Sequence, residues 1–347
     1  MADTPVLAPI ARRTLGRSGL AVSEICLGTM MFGGATTETE AQRIVDHAAG
    51  HGINFLDTAD VYNDGASETV TGRAIKARRH NWIVATKVGN IYKTPDGHVT
   101  GGLSRRWVQQ AVDLSLQRLG LDHIDIYYTH KTDANVGWDD VVATFGDLIR
   151  AGKIRYWGLS NVRAWHIAEI AHQCDRQNVP RPVVLQPYYN AMNRQPETEV
   201  LPAARHYGLG VASYSPIARG VLTGKYQPGE RPEQGTRAAR EDKRILETEW
   251  RQESLVIAQK IKQHAEHKGA TAIDFALSWV LNNQAITSVI AGPRTYEQWT
   301  QYFGYQRYQW TAEDEAFVDG FVKTGHPSTP GYNDPQYPID GRFPKIR

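Results

Sequence analysis

The feature that most constrains this chain is an alternation carried through almost its whole length. Short apolar, β-favouring runs recur eight times, nearly all separated by a stretch of helical periodicity. The runs are Ile25–Leu27, Ile53–Leu56, Trp82–Gly89, His123–Lys131, Ile154–Asn161, Val183–Asn190, Leu209–Pro216 and Ala285–Gly292. Helices are expected from Thr37, over Ser67 to about Arg78, Ser104–Leu119, Trp138–Ala151, Ala164–Asp175, Glu197–Tyr207, Glu249–His267, Thr271–Leu281 and from Tyr296. Thr37-Glu38-Thr39-Glu40 has a capping-box pattern, and Ile44, Val45 and Ala48 share one face of the helix it opens. Strands that alternate with helices lie parallel, and eight repeats match a closed (β/α)8 TIM barrel of the α/β class. An open doubly wound sheet would need a G-x-G-x-x-G turn after its first strand; GTMMFGG does not have that spacing.

Around the barrel, residues 12–24 read as an N-terminal β-hairpin turning at Gly16-Arg17-Ser18-Gly19, and a long polar insertion follows the seventh strand. The expected organisation is one domain over 1–347, with a core of about 12–323 and a C-terminal loop over 324–347. Composition agrees: 41% hydrophobic and 22% charged residues are those of an ordinary globular protein with ample core material. The net charge is +2 and the acids and bases are interspersed, which argues against nucleic acid or a membrane surface as partner. No apolar run approaches the length of a membrane span, and MADTPVLAPIARR does not read as a secretory signal. Cys26 and Cys174 suggest neither a disulfide framework nor a metal cluster, so no metal and a cytoplasmic location are expected.

In such a barrel the chemistry sits at the C-terminal ends of the strands. Those ends carry Gly28-Thr29, Asp57 with Tyr62 in the loop beyond, Lys87, His130, Ser160-Asn161, Gln186, Tyr214-Ser215, and Gly292 with Arg294. A charge inside an apolar strand is costly unless it is paired, and Asp57, Lys87 and His130 all sit in such strands or at their ends. A phenol with a pKa near 10 is a poor acid at neutral pH, and a nearby ammonium is expected to lower it. Asp57 would keep Lys87 charged and aimed, and His130 would orient a carbonyl oxygen beside Tyr62. The set describes a general acid placed to protonate a carbonyl as hydride arrives at carbon. The hydride must come from a cofactor. Asp60, which looks equivalent to Asp57, has no partner in this scheme and reads as a loop residue.

The motifs GTMMFGG, FLDTADVY, ATKVG, YYTHKTD, GLSN, LQPYYN, SYSPIARGVLTGKY and VIAGPRTYEQ, in this order and spacing, resemble an aldo-keto reductase over nearly the whole chain. The resemblance implies a catalytic tetrad of Asp57, Tyr62, Lys87 and His130, and NADPH held without a doubly wound fold. It places Ser160, Asn161 and Gln186 on the carboxamide and Tyr214 on the nicotinamide face. Ser215, Pro216, Ile217, Ala218, Arg219, Gly220 and Lys225 would follow the pyrophosphate, with Gly28, Thr29 and Met30 also beside the cofactor. Gly292, Arg294 and Gln298 would lie toward the adenosine, Arg294 where a guanidinium would meet a 2′-phosphate. Thr236-Arg237 resembles a pair that folds over the cofactor in this family. Tyr302 stands where the family usually has an asparagine near adenine, which leaves that contact open. His130 is a glutamate in the family's steroid double-bond reductases, so carbonyl rather than C=C reduction is implied.

The long insertion and the GTMMFG and SYSPIARG forms resemble the bacterial branch related to potassium-channel β subunits rather than the aldose reductase branch. The tail from Gly325 cannot be a helix; its Tyr332, Tyr337 and Phe343 favour packing on the barrel, and Tyr332 is expected to wall the substrate pocket. Met31, Tyr62, Tyr127 or Tyr128, and Tyr188 or Tyr189 are the other expected wall residues, which suits a neutral small-molecule carbonyl substrate. PGYND in the tail resembles bacterial reductases of bulky cyclic ketones, including 3-keto trichothecenes. Two alternatives stand beside a reductase: an NADPH-binding, redox-sensing subunit with little turnover, and a dehydrogenase oxidising a sugar or vitamin-like alcohol. The oligomeric state is left open.

Overall fold

The computed structural model describes residues 9–93 and 99–339. A first hairpin pairs β1 (Arg12–Thr14) antiparallel with β2 (Ala21–Ser23). β3 (Ile25–Gly28), β4 (Phe55–Asp57) and β5 (Ile83–Val88) follow. A second antiparallel hairpin, β6 (Ile91–Lys93) and β7 (Val99–Gly101), is one that periodicity did not predict. Then come β8 (Ile124–Thr129), β9 (Ile154–Ser160), β10 (Val184–Gln186), β11 (Gly210–Tyr214) and β12 (Ser288–Ala291). The eight strands other than the two hairpins pair in parallel into a closed barrel, β12 returning to β3 with Ile290 opposite Cys26. The (β/α)8 architecture expected from the alternation is therefore the observed one.

Side chains alternate across a strand, and this sorts the sheet into two cores. Cys26, Phe55, Ala85, Ile126, Tyr128, Val184, Ala212 and Ile290 face the lumen, where Leu15 and Val22 of the first hairpin join them. That hairpin thus plugs the N-terminal mouth of the barrel. The intervening residues, such as Leu27, Leu56, Val84, Tyr127 and Leu185, pack against the helices.

The helices are α1 (Glu38–Gly50), α2 (Ala66–Ile75), α3 (Arg105–Leu119), α4 (Trp138–Arg150), α5 (Ala164–Gln177) and α6 (Val200–Tyr207), then α7 (Lys243–Thr248), α8 (Gln252–His267), α9 (Ala272–Asn282), α10 (Tyr296–Thr300) and α11 (Ala312–Phe321). Thr37 caps α1, its Oγ1 accepting from Glu40 N at 3.3 Å, but the expected capping box is only half made, because Glu40 Oε1 accepts instead from Tyr296 N at 2.6 Å. The helix expected from Glu197 begins at Val200 instead, after a 3-10 turn over Gln195–Glu197 with Pro196 inside it. The helix expected from Glu249 starts at Gln252, and α7 precedes it within the insertion. α11, with a Thr311/Asp314 capping box, was not anticipated.

The tail is laid over the barrel's C-terminal side through residue 339: Arg194 N donates to His326 O at 3.0 Å, and Ser328 N to Met192 O at 2.8 Å. Phe343 lies outside the described residues. Among the described residues no helix is long and apolar enough to cross a membrane.

Candidate functional site

The same period of two that fills the lumen delivers the polar residues at its upper end. Asp57 is two residues beyond inward Phe55, Lys87 two beyond Ala85, His130 two beyond Tyr128, and Gln186 two beyond Val184. Lys87 is fully buried and places its three donors on three acceptors. Its Nζ donates to Asp57 Oδ2 at 2.5 Å, to the Thr58 carbonyl at 2.7 Å and to Tyr62 Oη at 3.4 Å. The second Asp57 oxygen accepts from Gln186 Nε2 at 2.8 Å. Burial works against the Lys87 ammonium, but Asp57 and then Tyr62 outweigh it and hold its pKa above the ordinary lysine value.

Tyr62 enters from the loop after β4, its N–H on the Ala59 carbonyl at 3.1 Å, just ahead of Asn63 and Asp64 in the left-handed region (φ 48° and 53°). Here one expectation is corrected. Burial raises the Tyr62 phenol, Lys87 pulls it down, Asp57 pushes it up again, and the net shift is upward. Desolvation outweighs the ammonium because the phenolate would have to form in a dry site beside a carboxylate. The phenol therefore holds its proton at neutral pH. The His130 ring stands edge-on to Tyr62, with centroids 6.0 Å apart at 85°. Burial, then Lys87 and Lys131, hold its pKa well below 6.5, so the imidazole is neutral.

Ser160, Asn161, Gln186 and Tyr214 form one continuous chain of bonds. Ser160 Oγ donates to the Gln186 carbonyl at 2.9 Å, Asn161 Nδ2 to Ser160 Oγ at 3.0 Å and to the His130 carbonyl at 2.8 Å, and Tyr214 Oη to Asn161 Oδ1 at 2.9 Å. Above this chain opens a cleft of about 1720 Å³, larger than a drug-sized ligand requires. Every cofactor residue expected from the sequence lines it except Ala218, which is buried behind the turn after β11. That turn is left-handed at Ser215, Ala218, Arg219 and Gly220 (φ 57°, 49°, 51° and 96°). Non-glycine residues held there cost of order 1–3 kcal/mol each, a strain typical of ligand-gripping loops.

The cleft is cationic where phosphates would lie. Lys225, Arg219, Arg237 and Arg294 line it together. Arg237 is paired with Asp242 at 3.0 Å, and burial, then Arg219, depress its pKa. Among the described residues the Arg294 guanidinium reaches only the Gly235 carbonyl, at 3.5 Å, while its backbone N–H is held by Gln298 Oε1 at 2.9 Å. A Cβ on Gly220 would stand 3.3 Å from Lys225 Nζ, so the glycine leaves that ammonium room. These groups fit a dinucleotide. Tyr302 is buried at the far end of the same cleft.

Several expected wall residues are not on the wall. Tyr332 lies under Arg251, whose guanidinium carbon is 3.7 Å from the ring centroid, and its hydroxyl donates to the Glu247 carbonyl at 3.3 Å. Gln336 and Tyr337 take its place, and Met31 lines the cleft as expected. Tyr127 points outward onto Phe145, and Tyr189 onto Trp279. Tyr128 points inward but one layer lower, its ring 5.9 Å from Lys87 Nζ and fitted against Gly158, where a Cβ would stand 2.6 Å away. Tyr188 is screened by Tyr214, the rings stacked at 5.5 Å, and its hydroxyl donates to Glu249.

Sequence reasoning also missed residues. Asn90, Val61, Arg240 and Arg244 line the cleft from loops and the insertion, where no period marks them. Asp60 is more than a loop residue: it is buried, and burial reinforced by Glu68 pushes its carboxyl up to about 7 against the opposing pull of Tyr92, Arg118 and the Val61 backbone.

The barrel is closed at one end and carries at the other a buried ammonium–carboxylate pair under a protonated phenol. The Aldo/keto reductase family profile matches residues 24–323, and the chain belongs to that family. It is 38% identical over 293 residues to an uncharacterized oxidoreductase, YrpG, of Bacillus subtilis, covering 82% of this chain and 87% of that protein. It is 34% identical over 285 residues to a probable voltage-gated potassium channel subunit beta of Arabidopsis thaliana, covering 81% and 86%. Its fold matches the holo form of aldo-keto reductase AKR11C1 from Bacillus halodurans with a TM-score of 0.73 and 29% identity, over 92% of this chain and 97% of the other. The chain is thus a member of a family of oxidoreductases that work with nicotinamide dinucleotides.

Proposed function

We propose that this chain is an NADPH-dependent reductase of aldehydes and ketones, with a bulky cyclic ketone of the 3-keto trichothecene kind as its candidate substrate. The observation that carries the reading is the three-way grip of Lys87 on Asp57, Thr58 and Tyr62 directly beneath the cleft. NADPH, when bound, supplies the hydride. Ser160, Asn161 and Gln186 would hold its carboxamide and Tyr214 the nicotinamide ring. The turn from Ser215 to Gly220 with Lys225 would take the pyrophosphate, and Arg294 and Arg237 the 2′-phosphate.

The protein's own work is on the oxygen. Neutral His130 donates a hydrogen bond that orients the carbonyl. Tyr62 passes its Oη proton to that oxygen as negative charge develops there. The Lys87 ammonium, 3.4 Å from Tyr62 Oη, then stabilises the phenolate, and Asp57 keeps that ammonium charged and in place. Met31 and Tyr337 supply an uncharged wall, which supports a neutral substrate over a phosphorylated one.

The test is oxidation of NADPH against a panel of aldehydes and ketones that includes a 3-keto trichothecene, with Tyr62→Phe as control. Turnover that is lost in the control supports the proposal. Tight NADPH binding with no turnover on any compound would replace it with a redox-sensing subunit, the reading the potassium-channel relatives bring to mind. Faster reduction of NADP⁺ by sugars or other alcohols at neutral pH would replace it with a dehydrogenase.

A further inference from the structure

His130 has two ring nitrogens, and which one carries the proton is set by the bond the other makes. Its Nδ1 is met by Asn90 Nδ2 at 2.9 Å. With the Asn90 amide in this orientation its NH₂ donates, which makes Nδ1 the acceptor and leaves the single proton of the neutral ring to Nε2. Among the described residues no protein group is bonded to Nε2, and both Asn90 and His130 line the cleft.

The local fold is arranged to hold Asn90 there. β5 and β8 pair with Lys87 opposite Tyr128 and Val88 opposite Thr129, so the chain leaving β5 emerges beside His130. Gly89 then adopts φ +127°, a conformation side chains rarely reach, within 3.6 Å of His130 N, measured from where its Cβ would be. The β6–β7 hairpin returns at once to clamp Asn90. Gly102 N donates to the Asn90 carbonyl at 3.0 Å, and a Cβ on Gly101 would lie 2.1 Å from that oxygen. Three glycines with positive φ, Gly89, Gly101 and Gly102, therefore surround the backbone of one asparagine.

We infer that Asn90 is a positioning residue for the reduction: it selects the Nε2–H tautomer of His130 and aims that N–H at the substrate oxygen. The inference rests on the carbonyl-reductase reading for its purpose but not for its first test. Without Asn90 the ring is free to take the other tautomer and present a bare nitrogen to the carbonyl oxygen, which repels it. The charged and titratable groups around the ring are Lys87, Lys131 and Tyr62.

The first test is the ¹⁵N spectrum of the histidines in the full-length protein without ligand, with His130 assigned by His130→Gln. Protonated Nε2 and bare Nδ1, unchanged from pH 8 down to pH 5, is the expected result. A protonated Nδ1 in the unsubstituted protein overturns the inference, and no variant has to fold for that result. The second test is Asn90→Asp, nearly isosteric, whose carboxylate accepts from Nδ1 and so reverses the tautomer. It should give His130 an ionisation between pH 5 and 8 and make kcat/KM bell-shaped there. Asn90→Ala should lower kcat/KM roughly tenfold, the worth of one net hydrogen bond. An Asn90→Asp spectrum and pH profile identical to the parent's would overturn it. Loss of the reductase reading itself would show differently, as no turnover in the parent while the nitrogen spectrum stays as expected.

Discussion

Arg244 and Asp334 meet fork to fork, Nη1 on Oδ1 at 3.1 Å and Nη2 on Oδ2 at 2.5 Å. One belongs to α7 in the insertion and the other to the tail, 90 residues later. Arg244 lines the cleft, and Tyr337, three residues after Asp334, walls it. Asp334→Asn should free the wall while leaving the chemistry alone. A bidentate charged pair is worth roughly 1.5–3 kcal/mol, so KM for a bulky cyclic ketone should rise roughly tenfold. Turnover of a small aldehyde should stay within twofold. Equal changes on both substrates would show that the tail is not a substrate wall.

The Lys87–Asp57 pair sets a second expectation. Both side chains are almost wholly removed from water, 0% and 3% exposed. Lys87→Met would leave a carboxylate there with only Gln186, at a cost of roughly 3–5 kcal/mol. Lys87→Met with Asp57→Asn removes both charges and should recover much of that loss. Urea unfolding of the two variants measures it. A single variant as stable as the double one would mean that Asp57 is not an uncompensated charge.

Asp60 gives the pH dependence its sign. Its carboxyl titrates at about 7 in the fold and at about 4 in an unfolded chain. Between those values the native state holds the extra proton, so this group's stabilising contribution is present at low pH and is lost as pH rises from about 4 to about 7. Asp60→Asn should therefore match the parent at pH 4 and exceed it at pH 8 by roughly 2–4 kcal/mol. Parallel stability–pH curves for the two proteins would contradict this.

Arg294 tests the choice of cofactor. Among the described residues its guanidinium makes one long bond, to the Gly235 carbonyl, so Arg294→Ala should cost NADPH roughly 10- to 100-fold in Kd, the worth of a charge-assisted phosphate contact. NADH should change less than about threefold. Fluorescence titration of both cofactors reads the difference, and an equal loss for both would place the 2′-phosphate elsewhere.

Much of this was legible beforehand because two periods carry it. Helical and strand alternation announced the barrel, and the period of two put Asp57, Lys87, His130 and Gln186 at the inner upper ends of β4, β5, β8 and β10. Residues without a period were read less well. Asn90, Arg244 and Tyr337 lie in loops and the insertion, and Tyr332 was preferred to Tyr337 because nothing local distinguishes two tail tyrosines. The hairpin β6–β7 and helix α11 were missed for a similar reason: one is a short excursion between barrel elements, the other follows the last strand.

The sequence by itself determined the class of fold, the family and which side chains are offered to the lumen, since those follow from periodicity and from motifs in order. Tertiary structure alone decided the balance of forces on them. The Tyr62 phenol is shifted upward because burial and Asp57 together outweigh Lys87, and Asp60 titrates near neutrality because it is dry and close to Glu68. The tautomer inferred for His130 depends on an amide delivered from the loop after the neighbouring strand β5. Such quantities are sums over neighbours distant in sequence, and no local pattern encodes a sum of that kind.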